Sequence, residues 1–352
     1  MNNLIAVDPL IEREDSARMI GDSAAEVLSP AGVARARALR FSLPGFERTK
    51  WTQFAELGWL MLRLPEDRGG LGLGMSEYCA LAHEMGRALV PEPLIGAIAA
   101  LELLPDADLP SVLEGRRIVL PALSANPANP VRLDAGRVTG EAINVPMAAG
   151  ADAFVLRLAT GGYVLVERDA AGLTIEAGYT HDGGHLGTIC LAGSSALVLA
   201  ETNRPVWEDA TLATAAYLRG VADAAFSLTL DFLKTREQFG KPIGSFQVLQ
   251  HRMVDLYLEK TLLQVSVAAA AAAIDVGSSG SDRRAEVSRA RARASRAVDL
   301  ICRQGVQLHG GIGFSDEADI GLYLRKSMVM LSSFGGEALH RQRHYAELGV
   351  SQ

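Results

Sequence analysis

The run TREQFGKPIGSFQVLQHRM, residues 235–253, sets Arg236 and Lys241 near Gln238, Phe239, Gln247 and Gln250 around a Gly-Lys-Pro-Ile-Gly turn. An arginine presents a planar fork of N–H donors that matches a pyrophosphate in a bidentate way. The aromatic ring and the amides are groups suited to flank a ring system and a polyol chain. Read alone, the run also fits an ordinary turn between two helices.

A second run, QLHGGIGF at 307–314, follows a long amphipathic segment and precedes another helical one. Glycines there let the backbone approach a ligand and offer N–H groups to phosphate oxygens. By spacing alone, a helix C-cap with a loop is the stronger reading. A third glycine cluster, GGLGLG at 69–74, lies between two helices and matches neither a dinucleotide nor a P-loop fingerprint, so it reads as a structural turn.

Outward from these runs, the chain changes character twice. Up to about residue 115 the signals are helical. Trp51, Phe54, Leu57 and Met61 recur at helical steps, as do Tyr78, Leu81, Met85 and Leu89, with Ser76 as the expected N-cap of the second helix. Over 116–205 short apolar runs at 118–123, 153–158, 163–166 and 195–199 alternate with Asn-Pro, Gly-Gly and Asp-Gly turns, which reads as a small antiparallel β-domain. Over 206–352 long helices return, with an apolar stripe at Phe246, Leu249, Met253 and Leu256 and a break at SSGSD, 278–282. The expected fold class is α+β: an N-terminal helical domain, a middle antiparallel β-domain and a C-terminal bundle of long helices.

The 352 residues carry a formal net charge of -7. That balance argues against nucleic acid, whose recognition needs a basic footprint. The basic stretch 283–296 alternates with Ala and Ser, so it is expected to be a solvated helix face. Cys79, Cys190 and Cys302 lie far apart without metal or disulfide spacing, so no metal is expected and a reducing cytoplasm fits. No segment has the ~20 apolar residues of a membrane span. The start of the chain lacks a signal-peptide core. His251, His309 and His340 have no spaced metal or nucleophile partner and are expected to pack or face solvent. Ser124 and Ser332 lack a nucleophile-elbow context.

Taken together, REQFGKPIGSFQVLQH and QGVQLHGGIGFSDEADIGLYLRKS resemble the C-terminal helical domain of acyl-CoA dehydrogenases. FAELGWLMLRLPEDRGGLGLGMSEYCALAHEMGRALVPEPL resembles the first domain of that family. VPMAAGADAFVLRL and DGGHLGTICL are similar to its middle domain. The resemblance implies FAD, with Arg236 on its pyrophosphate, Gln238 and Phe239 reaching the same cofactor, Gln247 near the adenosine end, and Gln307, Gly310 and Gly311 along the diphosphate. It also implies that the flavin site is shared between subunits. The implied chemistry is α,β-dehydrogenation of an acyl-CoA thioester, with electron-transfer flavoprotein or a similar acceptor taking the electrons. The assembly implied is a homodimer or homotetramer, or a heterotetramer with a second subunit.

The chain departs from this pattern at the base. The position that carries a Glu in many members of the family falls on Phe334, with Glu337 three residues on. A second family position for the base falls on Ala210, beside Glu208 and Asp209, whose plainer role is to favour the positive end of a helix. LPALSANPANP, 120–130, stands where a longer flavin-touching loop is usual, and VPM follows Asn144 where an aromatic-Ile-Ser/Thr contact is usual. Such losses resemble the shorter subunits of two-gene steroid side-chain acyl-CoA dehydrogenases. A non-catalytic partner that completes a shared FAD site is therefore the alternative function.

Overall fold

The computed structural model describes residues 9–29, 32–200 and 205–349. The first helices are α1 (Pro9–Leu28), α2 (Gly32–Ala38), α3 (Arg48–Glu56), α4 (Met75–Arg87), α5 (Leu94–Leu101) and α6 (Leu109–Leu113). Among the described residues nine strands follow: β1 (Val119–Ala122), β2 (Ser124–Ala125), β3 (Arg132–Asp134), β4 (Arg137–Pro146), β5 (Ala153–Arg157), β6 (Tyr163–Glu167), β7 (Leu173–Tyr179), β8 (His185–Ser195) and β9 (Leu197–Val198). The chain then runs through α7 (Val206–Thr235), the short pair β10 (Glu237–Gln238) and β11 (Lys241–Pro242), and four more helices: α8 (Gln247–Asp275), α9 (Gly280–His309), α10 (Ile320–Met330) and α11 (Glu337–Glu347). The order helices, strands, helices matches the expected α+β class.

Contacts gather the chain into two compact units. One holds the described residues up to Arg37, Gly74–Val90 and those from Thr211 onward; the other holds Ala38–Leu73 and Pro91–Ala210.

In the second unit the strands form two sheets, β1-β5-β6-β9 and β2-β4-β8-β7, with β3 on the edge of β4. The sheets are antiparallel except that β1 runs parallel to β5, because β2, β3 and β4 intervene as a crossover. The long strands β4 and β8 pair with bulges at Val138/Thr139 and Ala142/Val145. Their inner faces carry small or branched residues, Val138, Ala142 and Ile189 among the fully buried ones. The α3 helix stops at Glu56, short of the expected Met61. Gly58 takes φ 77°, and the N–H groups of Gly58 and Trp59 donate back to Ala55 and Phe54, which closes the helix end.

In the first unit α4 packs on the C-terminal helices. Two glycines set the approach: a Cβ on Gly86 would collide with the Tyr217 carbonyl, and one on Gly220 with that of His83. Helix α4 is capped differently from the sequence expectation. Gly74 is its N-cap, and Ser76 lies inside the first turn. The free N–H groups of Met75 and Ser76 donate instead to the Asp275 carboxylate, at 2.6 and 2.9 Å. The expected solvated face of 283–296 is also only partly found, since Arg283 and Arg291 are buried. Arg284, Arg289 and Arg293 do lie toward solvent, each paired with a glutamate.

Candidate functional site

The 235–253 run takes shape from a turn that tolerates left-handed backbone. Arg236 ends α7, its N–H still donating to Phe232. Glu237–Gln238 then pairs with Lys241–Pro242 around Phe239 and Gly240, with φ of 56° and 75°. Positive φ at both central residues suits a tight hairpin with the twist of its strands. A phenylalanine is an uncommon choice there, and its ring is 92% exposed. An apolar ring held outward in strained backbone is an arrangement found where a ligand or partner covers it. Lys241 lies over the Phe246 ring at 4.4 Å, and Phe239 and Phe246 meet edge to face.

Arg236 and Gln247 are exposed, and among the described residues the Arg236 guanidinium has no carboxylate or carbonyl partner. Gln238 donates through its amide to the Glu237 carbonyl. The donor set in this run is therefore available to something outside the chain.

The 307–314 run is tied to the same corner. His309 stacks on Phe232 with ring centroids 4.3 Å apart, and Phe232 lies one turn before Arg236. The His309 Nδ1–H donates to the Gly305 carbonyl, and burial pushes the ring below its ordinary basicity. It is a packing residue. Gln307 is exposed on the last turn of α9. The glycines that follow differ in purpose. A Cβ on Gly313 would sit 2.5 Å from the Val306 carbonyl, so packing demands that glycine. Gly310 needs its freedom for φ 65°. Gly311 has neither reason: its φ is not left-handed, and a Cβ there meets no heavy atom within 4 Å. Open space over two adjacent glycines, an unpaired guanidinium, an exposed ring and exposed amides fit a dinucleotide phosphate and its flanking rings.

The carboxylate candidates fall in different places. Phe334 does occupy the turn between α10 and α11, half-buried, with φ 53°. That turn is clamped. The His340 Nε2–H donates to the Phe334 carbonyl at 3.0 Å. The fully buried Arg291 donates to the carbonyls of Met330, Leu331 and Ser333. Burial, with Arg291 and Arg343 nearby, presses His340 to about 4, so it stays neutral. Glu337 opens α11 and lies 3.7 Å from Arg341. Glu208 and Asp209 occupy the first turn of α7, in the other compact unit. The Asp209 Oδ2 accepts a hydrogen bond from Arg63 at 2.7 Å, with both side chains largely covered.

Two of these partners had no place in the sequence reading. Nothing local marks Arg63. Arg291 had a signal: it lies four residues after Val287, three before Ala294 and seven before Val298, on the buried stripe of α9. In the β-unit, the Glu141 carboxylate accepts from the amides of both Asn126 and Asn129, which closes the 120–130 segment on itself. Among the described residues there is no cluster of three or more metal-ligating side chains, and no helix is long and apolar enough to cross a membrane.

Comparison with known proteins bears on the family and the fold. The family model of the acyl-CoA dehydrogenase C-terminal domain matches residues 209–348, and that of the N-terminal domain matches 14–101. The protein named acyl-CoA dehydrogenase IpdE2 from Mycobacterium tuberculosis is 31% identical over 324 residues, spanning 88% of this chain and 90% of that one. A variant of the Tcur3481-Tcur3483 steroid acyl-CoA dehydrogenase superposes with a TM-score of 0.86 at 29% identity, over 96% of this chain and 98% of that one. The ChsE4-ChsE5 complex from Mycobacterium tuberculosis contains a chain of the same fold, with a TM-score of 0.85 at 24% identity over 96% and 98%. Family membership implies a flavin cofactor. The chain belongs to the acyl-CoA dehydrogenase family, oxidoreductases that act on CH–CH bonds.

Proposed function

We propose that this chain is a subunit of an FAD-dependent acyl-CoA dehydrogenase and that it holds FAD through Arg236, Gln238, Phe239, Gln247, Gln307, Gly310 and Gly311. The observation that carries this reading is Arg236: an exposed guanidinium without a partner among the described residues, tied through Phe232 and His309 to two glycines over open space. Arg236 would hold phosphate oxygens through its guanidinium fork, the 310–311 backbone would admit them, and Phe239 would lie against a ring of the cofactor. Bound FAD supplies a two-electron acceptor for the hydride that leaves Cβ of an acyl-CoA thioester. The α-proton leaves to a carboxylate, for which Asp209, Glu208 and Glu337 are this chain's candidates.

A second reading has its own observation. The turn of Phe334, the residue on which the family's base position falls by counting along the sequence, is held by Arg291 and His340, while Asp209 is already engaged by Arg63. A chain so built completes a flavin site for a partner that brings the base. Helix α8 offers such a partner a surface: Val254, Leu258, Leu262 and Val265 form an exposed apolar stripe at helical spacing. Steroid-type relatives solved as two-component complexes support a mixed assembly, and a bulky acyl group as substrate.

The deciding measurement is the flavin-to-chain ratio, with the visible spectrum, for the chain alone and co-expressed with a neighbouring dehydrogenase gene. A ratio near one with turnover by the lone chain supports the complete enzyme. A ratio near one half, with activity only in the mixture, supports the partner reading. Protein that stays colourless with added FAD in both preparations refutes both.

A further inference from the structure

The corner between α7 and α8 encloses a half-open cavity of about 410 Å³, all within one compact unit. Its walls are Leu230 and Leu233 from α7 and Leu249 and Met253 from α8, and the 242–245 turn closes one side. Leu233 and Met253 are buried, so the cavity reaches into the core. Lys234 and Gln250, both exposed, line its open edge. None of the proposed flavin contacts lines it.

An apolar concavity of this size that stays open to solvent leaves its walls unburied and without dispersion partners until a ligand covers them. The surrounding turn is nevertheless well fixed. The Ile243 N–H donates to the Arg236 carbonyl, the Ser245 hydroxyl to that of Pro242, and the Gln250 amide to that of Gly244. The wall that the turn forms is therefore fixed in shape. The cavity's volume lies in the range of small-molecule sites, roughly 300–1,000 Å³.

Its charge selects the occupant. Among the described residues Lys234 has no ion pair, and Asp231 and Glu237, the carboxylates nearest in sequence, do not engage it. The Gln250 amide oxygen remains as an acceptor for a protonated or hydrated head group. We propose that this cavity binds a small amphiphilic carboxylate, its hydrocarbon body against Leu230, Leu233, Leu249 and Met253 and its anionic head at Lys234. The site is separate from flavin and from the thioester chemistry, and it places a ligand directly behind the turn that carries Arg236.

Octanoate and octan-1-ol serve as probes, titrated calorimetrically into the full chain in the assembly it forms on purification. Octanoate binds, and octan-1-ol binds on the order of tenfold more weakly because it lacks the charge. Lys234→Gln brings the two probes to similar affinity. Ser245→Trp and Gln250→Trp, both at exposed positions, remove octanoate binding while circular dichroism stays that of the parent. The proposal is overturned if octanoate gives no saturable heat, including the case where a partner's side chain fills the cavity. It is also overturned if octan-1-ol binds the parent as tightly as octanoate, or if both tryptophan variants bind as the parent does. The titration reads heat and not colour, so a failure of flavin binding leaves its outcome distinct.

Discussion

The Nε2 atom of His83 on α4 lies 2.8 Å from Oδ2 of Asp223 on α7, and its Nδ1 atom lies 2.8 Å from the Glu84 carboxylate. Lys260 adds a charge contact to Asp223 at 3.2 Å that lacks hydrogen-bond geometry. Burial pushes both carboxyls up. The hydrogen bond and charge of His83, with Lys260 and Arg219 at Asp223 and Arg87 and Arg219 at Glu84, outweigh burial and hold them below their ordinary 3.8 and 4.5. A carboxyl lowered by folding contributes stability above its unfolded value and loses it as pH falls through the folded one. Thermal melts should therefore hold steady from pH 7 to about 5 and drop steeply below about pH 4. His83→Gln should destabilise the protein by about 1–3 kcal/mol at pH 7, since it removes one hydrogen-bonded partner from two covered carboxylates that keep their other cations, and should flatten the acid limb. A variant that melts with the parent at pH 7 would remove this cluster from the account.

Asp275 makes a second long-range tie. It sits at the last residue of α8, only 4% of its side chain is exposed, and it accepts from two N–H groups and the Ser76 hydroxyl at the start of α4. A capping carboxylate removes unsatisfied donors and favours the positive helix end. Asp275→Ala should lower stability by about 2–3 kcal/mol in urea unfolding, because charged hydrogen bonds are lost and buried donors are stranded. Ser76→Ala should lower it by about 1 kcal/mol. Equal losses for the two would mean the hydroxyl, as the sequence suggested, is the main cap.

These two ties indicate where sequence reading succeeds and where it stops. The local shapes of the 235–253 and 307–314 runs were legible because contiguous residues set them: a hairpin needing left-handed backbone, and a helix ending in glycines. The helix–strand–helix order was legible from periodicity. The long strands β4 and β8 were not, because their inner faces use Gly140, Ala142 and Gly187, which carry little hydrophobic signal. Capping of α4 by a residue 200 positions away leaves no local trace, and Ser76 offered a plausible cap in its place. Burial of Arg291 was masked by its arginine-rich neighbours, although its period with Val287 and Val298 was present.

Arg236 should set flavin affinity. One charge-assisted contact is worth about 1.5–3 kcal/mol, so Arg236→Ala should weaken FAD binding about 10- to 100-fold in equilibrium dialysis. Arg236→Lys should recover only part of this, because an ammonium does not reproduce the fork. No effect on melting of the flavin-free chain is expected, since the side chain has no partner among the described residues. Equal flavin content in parent and variant would show that Arg236 faces something else.

Gly311 and Gly313 separate packing from binding. Gly313→Ala should destabilise the fold by about 1–3 kcal/mol, because its methyl group meets the Val306 carbonyl. Gly311→Ala has room in the isolated chain and should leave melting unchanged or slightly raised. Its cost should appear as reduced FAD retention. If Gly311→Ala binds flavin as the parent does, the open space above 310–311 serves another ligand or none.

Asp209 and Arg63 supply the last test, because the ion pair and the base role make opposite demands on one carboxylate. The two residues are 146 positions apart, meet at 2.7 Å and are largely covered, so removing either side takes a charged partner from the other. In a double-mutant cycle of Asp209→Asn and Arg63→Gln, a structural pair should give a coupling energy of about 1–3 kcal/mol in unfolding experiments. Activity, measured on whichever assembly turns over acyl-CoA, should then fall little more in Asp209→Asn than in Arg63→Gln. A base behaves otherwise. Asp209→Asn would remove 10²-fold or more of kcat, a loss Arg63→Gln would not share, and stability would barely register the coupling. With the ion pair already formed, we expect the first pattern, and with it the α-proton would be taken up by a group other than Asp209.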